Sequence, residues 1–174
     1  MNKLMYKKGD HYAEVGRKNF FYRFYIVKKT MTFQTFILGK TAVIKRKSDN
    51  KVLARLTSNG TLTVYEGYFW NGPSGPTIDT EDFIIGSIPH DVLYQMLKEN
   101  MLVDEEYHKR KSGPGLYYIS MYEEFKELRL LADVTLETVC IENGMCLFRA
   151  KYTYISVRIF GESHCLPNTL KDVL

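Results

Sequence analysis

The chain has 174 residues, 45% of them apolar and 25% charged, which fits one globular domain with a sizeable core. Three cysteines with no Cys-x-x-Cys spacing exclude a disulfide framework and a zinc site of the usual pattern, and no apolar run reaches the length of a membrane span. The formal charge of +4 is mild and is dispersed over short pairs such as Lys7-Lys8, Arg17-Lys18 and Lys28-Lys29. It therefore reads as solvated strand edges and turns rather than a nucleic-acid footprint.

Residues 1–18 are polar and basic without a clear period, and read as a flexible arm or an edge strand. A single α+β domain is expected over residues 19–174. The start, Met1 to Met5, lacks the long apolar segment of a signal peptide. Reduced, buried thiols are then the default. The expected location is a cytoplasm, or a particle assembled there. The run Phe20 to Val27 is aromatic and reads as strand. Thr32 to Ile44 is rich in Thr, Phe, Ile and Val, with Gly39 as a turn or bulge. Val52–Leu56 and Leu62–Phe69 form a hairpin around Ser58-Asn59-Gly60, since Asn-Gly is a strong hairpin signal. An antiparallel meander therefore precedes Trp70.

The stretch Trp70-Asn71-Gly72-Pro73-Ser74-Gly75-Pro76 is a glycine- and proline-rich loop. Asp79 or Thr80 caps a short helical turn over Glu81 to Ile85, which Gly86 and Pro89 interrupt. Ser87 then caps a helix with Pro89 in its first turn, where proline is tolerated. That helix carries His90, Asp91 and Tyr94 and ends near Glu99-Asn100. Residues 104–116 read as an exposed loop. Ser120 and Glu123 form a capping box. The helix after it has apolar Phe125, Leu128, Leu131, Ala132, Leu136 and Val139, and Asn143-Gly144 ends it. Met145–Ala150 and Tyr152–Phe160 are expected as a final hairpin, or as a strand with a helical extension. The tail after Gly161 reads as irregular.

Three pieces converge on one polar site. Tyr94 lies four residues after His90 and three after Asp91, on their side of a helix, whereas His90 and Asp91 themselves point about a quarter turn apart. A histidine accepts a proton from water best when a carboxylate holds its far ring nitrogen. Asp133, alone in an apolar helical face, is the natural holder, because burying it unpartnered costs several kcal/mol. Arg129, one turn earlier, gives the structural alternative of a plain ion pair with Asp133. Asp91 remains for a cation. A hard cation wants about six to eight oxygens, and the loop from Gly72 to Gly75 offers backbone carbonyls.

The motifs Trp-Asn-Gly-Pro-Ser-Gly-Pro-Thr-Ile-Asp-Thr, His-Asp-Val-Leu-Tyr-Gln, Arg-x-x-Ala-Asp, Glu-Asn-Gly-Met and Val157-Arg158-Ile159-Phe160-Gly161 occur in that order. Over residues 66–167 this pattern resembles a bacteriophage and prophage family known as domain of unknown function 1353. Asn71 stands where that family usually has Asp. The set of glycine loop, His-Asp-x-x-Tyr and later Ala-Asp is also similar to calcium-dependent phospholipases A2 of the secreted and parvoviral type. That likeness implies His90 as base, Asp133 as its orienting partner, Tyr94 as a brace for Asp133, and Asp91 as a Ca2+ ligand. The carbonyls of Trp70, Gly72 and Ser74 would complete the metal shell. Pro73 and Ser74 depart from the secreted enzymes' loop, and no cysteine lies near His90 to tie the helices. Two functions follow as expectations. One is a phage-encoded hydrolase of a phospholipid or another ester. The other is a non-catalytic virion or accessory protein that binds other phage virion proteins and keeps the same polar site.

Overall fold

The computed structural model describes residues 8–19, 22–73, 78–112 and 116–171. The fold is α+β. Among the described residues seven strands come first: β1 (Tyr12–Asn19), β2 (Tyr22–Val27), β3 (Met31–Gln34), β4 (Ala42–Lys45), β5 (Val52–Leu56), β6 (Thr61–Val64) and β7 (Phe69–Trp70). Six helices follow: α1 (Glu81–Lys98), α2 (Glu105–Lys111), α3 (Tyr117–Glu142), α4 (Leu147–Phe160), α5 (Glu162–Cys165) and α6 (Asn168–Lys171). The strands form two antiparallel sheets, in the orders β1-β2-β7 and β3-β6-β5-β4.

Strand alternation accounts for the second sheet. Met31 and Phe33 of β3 and Leu62 and Val64 of β6 face inward, and Thr32 and Gln34 face out. The β5–β6 hairpin turns where Asn59-Gly60 predicts it. Gly60 sits at φ +81°, and Asn59 Oδ1 accepts from Thr57 Oγ1 at 2.6 Å and from the Thr61 amide at 3.1 Å. In the first sheet β1 lies at the edge, and Tyr12, Tyr25 and Trp70 pack their rings together in the core.

The helical half departs from expectation in four places. First, α1 runs unbroken through Gly86 and Pro89. Proline in a helix interior costs about 3 kcal/mol, but Ile84, Ile85, Ile88, Val92, Leu93 and Leu97 are all buried around it. Their burial, at roughly 1.5–3 kcal/mol each, outweighs that cost. Ser87 is therefore no cap; its hydroxyl donates to the Ile84 carbonyl at 2.8 Å. Second, part of the expected loop is α2. Asp104 caps it by accepting from the Tyr107 amide at 2.9 Å, and Glu105 pairs with Lys109 one turn on at 2.7 Å. Third, α3 starts at Tyr117, so Ser120 lies within it and no capping box forms; its hydroxyl oxygen lies 3.0 Å from the Tyr117 carbonyl. Fourth, residues 147–160 are helix α4 rather than a hairpin. Arg149 fixes the first turn of α4, donating to Thr80 Oγ1 at 2.5 Å and to the Ile78 carbonyl at 2.6 Å, and these contacts override the strand propensity of its aromatic and β-branched residues. The tail also carries the short helices α5 and α6. The cysteines are free; Cys140 and Cys165 are buried, whereas Cys146 is exposed, contrary to the expectation of buried thiols throughout.

Helices α1 and α3 pack antiparallel, and one glycine permits it. A Cβ on Gly86 would lie 2.3 Å from Cys140 Sγ and 3.3 Å from Leu136 Cδ1. Close approach at Gly86 and Cys140 brings the next turn of α1, at His90, opposite Asp133.

Candidate functional site

Asp133 is completely buried in the middle of α3. Its Oδ1 accepts from Tyr94 Oη at 2.7 Å and lies 3.0 Å from His90 Nε2. Its Oδ2 accepts from Arg158 Nη1 at 2.8 Å, with Arg129 Nε at 4.0 Å. An unpartnered carboxylate here would cost several kcal/mol, and this set of charged and neutral donors offsets it. Burial raises the Asp133 pKa, but the hydrogen bonds from His90, Arg158 and Tyr94 and the charge of His90 outweigh it, so the carboxyl stays below its usual range.

Both ring nitrogens of His90 are engaged. Nδ1 lies 3.3 Å from Asp91 Oδ1, so the two neighbours touch rather than turn away from each other. Burial pulls the imidazole down, yet Asp133 and Asp91 together push it up to about 8. Near neutrality His90 is thus an imidazolium between two carboxylates. Asp91 is partly exposed and its pKa is raised, by burial first, against the opposing influence of His90 and His164. Tyr94 packs its ring 3.9 Å from the His90 ring, and its hydroxyl remains protonated because burial and the Asp133 charge push its pKa far up.

Arg129 is not mainly the ion-pair partner of Asp133. Its Nη1 donates to Glu162 Oε2 at 2.8 Å, and its Nη2 donates to the carbonyls of Val157 at 3.0 Å and Arg158 at 2.6 Å. It thereby fastens the end of α4 to α3 and places Arg158, which is the closer cation to Asp133.

Sequence reasoning missed Arg158 as a member of the site because it expected a hairpin there. A helical period over residues 147–160 with buried Ala150 and Thr153 was the available signal. It also missed Gly161, where a Cβ would sit 2.6 Å from Tyr94 Oη, so that this glycine makes room for the hydroxyl to reach Asp133.

The loop residues have packing roles. Trp70 is buried in β7 and donates its indole N–H to Ser87 Oγ of α1 at 3.1 Å. Gly72, at φ +66°, lies against the Tyr25 ring, where a Cβ would meet Tyr25 Cε2 at 2.5 Å. Ser74 lies outside the described residues. Among the described residues no group of three or more His, Cys, Asp or Glu side chains is placed to hold a metal ion. The Asp133 oxygens already meet Tyr94, His90 and Arg158, so Asp91 is the one carboxylate of the set whose second oxygen is unclaimed among the described residues. The side chains alone fall short of the roughly six oxygens that calcium takes. No helix is long and apolar enough to cross a membrane, among the described residues. Compared with protein-family models, with curated proteins and with solved structures, the chain matches none.

Proposed function

We propose that His90, Asp133 and Tyr94 form the centre of a phage-encoded hydrolase that acts on an ester, a phospholipid being the favoured class. The observation that carries this reading is the 3.0 Å approach of His90 Nε2 to Asp133 Oδ1, an oxygen that Tyr94 also holds. With Nε2 held by the carboxylate, Nδ1 is the nitrogen left for water, and the step requires Asp91, 3.3 Å from it, to release it and turn to its cation. In the step proposed, neutral Nδ1 takes a proton from water as the water oxygen attacks the ester carbonyl. The same proton then passes to the leaving alkoxide as the ester C–O bond breaks. Since the imidazole pKa is near 8, the reactive form grows as pH rises through that value. Large exposed apolar side chains on α4, Ile155, Ile159 and Phe160, lie within one turn of Arg158 and support a lipid over a fully soluble ester.

Calcium belongs to the same proposal, with Asp91 as its charged ligand and carbonyls of Trp70, Gly72 and Ser74 as the rest; when bound it would polarise the ester carbonyl. A phage origin and a place in the host cytoplasm or the virion belong to the same proposal and rest on the sequence motifs over residues 66–167 alone, which no family model matches.

A second reading is favoured by a specific observation. Both nitrogens of His90 are occupied and Asp133 has no exposed surface, as a purely structural staple in a virion or accessory protein would have. An ester-hydrolysis screen from pH 6 to 9, with and without millimolar calcium, separates the two. The hydrolase reading expects turnover that rises toward pH 8 and disappears in His90→Asn. Turnover absent at every pH, with a folded protein, leaves the staple.

A further inference from the structure

A second histidine lies in a different setting at the start of α3. His108, from α2, is buried, with Nδ1 2.8 Å from Ser120 Oγ and Nε2 2.7 Å from Glu124 Oε2. Ser120 and Glu124 are one turn apart on α3, so a single helix presents hydroxyl and carboxylate to the two sides of one imidazole. Lys40, from the loop between β3 and β4, pairs with Glu124 Oε1. Burial raises the Glu124 pKa, but Lys40 and His108 lower it more, so the carboxylate is charged. A charged acceptor on Nε2 fixes the tautomer with hydrogen on Nε2 and a lone pair on Nδ1, facing the Ser120 hydroxyl. Nucleophile, base and orienting carboxylate within hydrogen-bond reach are the arrangement that activates a serine, recognised by geometry rather than chain order.

We propose that Ser120, His108 and Glu124 form a serine nucleophile site for acyl transfer from esters with an apolar acyl group. Exposed Leu116 and Ile119, at 62% each, and Tyr107, at 47%, supply an apolar rim on the adjoining turns of α2 and α3. In the step, Ser120 Oγ bonds to the acyl carbon as its proton moves to His108 Nδ1. The tetrahedral adduct then breaks its bond to the alcohol oxygen, which leaves with that proton. Water, deprotonated by His108 in turn, cleaves the acyl-serine and returns the hydroxyl. The competing arrangement is already visible, because the same hydroxyl lies 3.0 Å from the Tyr117 carbonyl and 3.4 Å from Ser112 Oγ. A hydroxyl committed to Tyr117 would be structural only.

An alkyl fluorophosphonate distinguishes them on the full chain. Attack on phosphorus expels fluoride and leaves one covalent adduct, which peptide mass mapping places. The expected result is labelling of Ser120 at pH 8, lost in Ser120→Ala, unchanged in Ser156→Ala, and about 100-fold slower in His108→Asn. As a check independent of the serine, the thiol introduced by Ser120→Cys should be alkylated by iodoacetamide at pH 6, and His108→Asn should abolish that reactivity. Absence of any adduct on Ser120 in the wild-type chain overturns the proposal, as does an adduct whose rate ignores His108→Asn.

Discussion

Helix α3 carries two carboxylates that each meet a histidine, and their surroundings differ. Asp133 has no exposed surface and is enclosed by His90, Tyr94, Arg158 and Arg129. Glu124 is 22% exposed and meets His108 and Lys40, with a serine on the far side of the imidazole. Charges in the interior interact strongly and are costly to strand, so removing a member of the Asp133 cluster destabilises the fold. Charges near the surface are screened, so the Glu124 cluster contributes little stability and keeps its hydroxyl within reach of a reagent. The contrast separates what a variant does to stability from what it does to reactivity.

Asp133→Asn should have the largest effect. It takes the charged acceptor from Arg158 Nη1 and from His90 Nε2 inside the helical core, at a cost of about 3–5 kcal/mol measured by urea unfolding. A loss under about 1 kcal/mol would show that the cluster is not coupled as the distances imply. Gly86→Ala comes next. Its methyl would meet Cys140 Sγ, and forcing α1 from α3 should cost about 1–3 kcal/mol. Cys140→Ala should recover part of that loss in the double variant, since it removes the obstructing sulfur. If both single changes simply add, helix approach at this point is not limiting.

The pH dependence of stability is a third test. The folded His90 pKa of about 8 lies above the ordinary 6.5, so its stabilisation is complete below pH 6.5 and is lost as pH rises through 8. The gap corresponds to about 2 kcal/mol. Unfolding free energies at pH 6 and pH 9 should differ by about that amount more in the wild type than in His90→Gln. Equal differences would remove the charged bridge. Smallest of all, Lys40→Ala should cost under about 1 kcal/mol, because the Lys40–Glu124 pair is partly exposed. A cost matching that of Asp133→Asn would erase the distinction between the two clusters.

What could be read from the sequence follows the same division. The strands before Trp70 were legible because β3 and β6 alternate apolar buried residues with polar, more accessible ones and Asn59-Gly60 forms a tight turn. The pairing of His90 with Asp133 was legible because a lone carboxylate in an apolar helical face demands a partner. Pro89 misled because local propensity carries no information on the apolar residues that bury around it. Arg158 stayed hidden because Tyr152 to Phe160 has strand composition, whereas buried Ala150 and Thr153 and the anchors at Arg149 and Arg129 hold it as helix. The Ser120 cluster was obscured by a capping-box pattern that the true start of α3, at Tyr117, bypasses. In each failure a tertiary contact decided what neighbouring residues alone left open.

Stability and hydrolysis both depend on one quantity, the protonation of His90 while it is held by Asp133. Nuclear magnetic resonance titration of the His90 ring reads it directly. The account predicts a midpoint near 8 in the folded wild type. The midpoint should fall in a folded variant with Asp133 replaced by Asn, because burial then acts with less opposition. A wild-type midpoint at or below about 6.5 would contradict it, since that is the value of a histidine gaining nothing from its carboxylates.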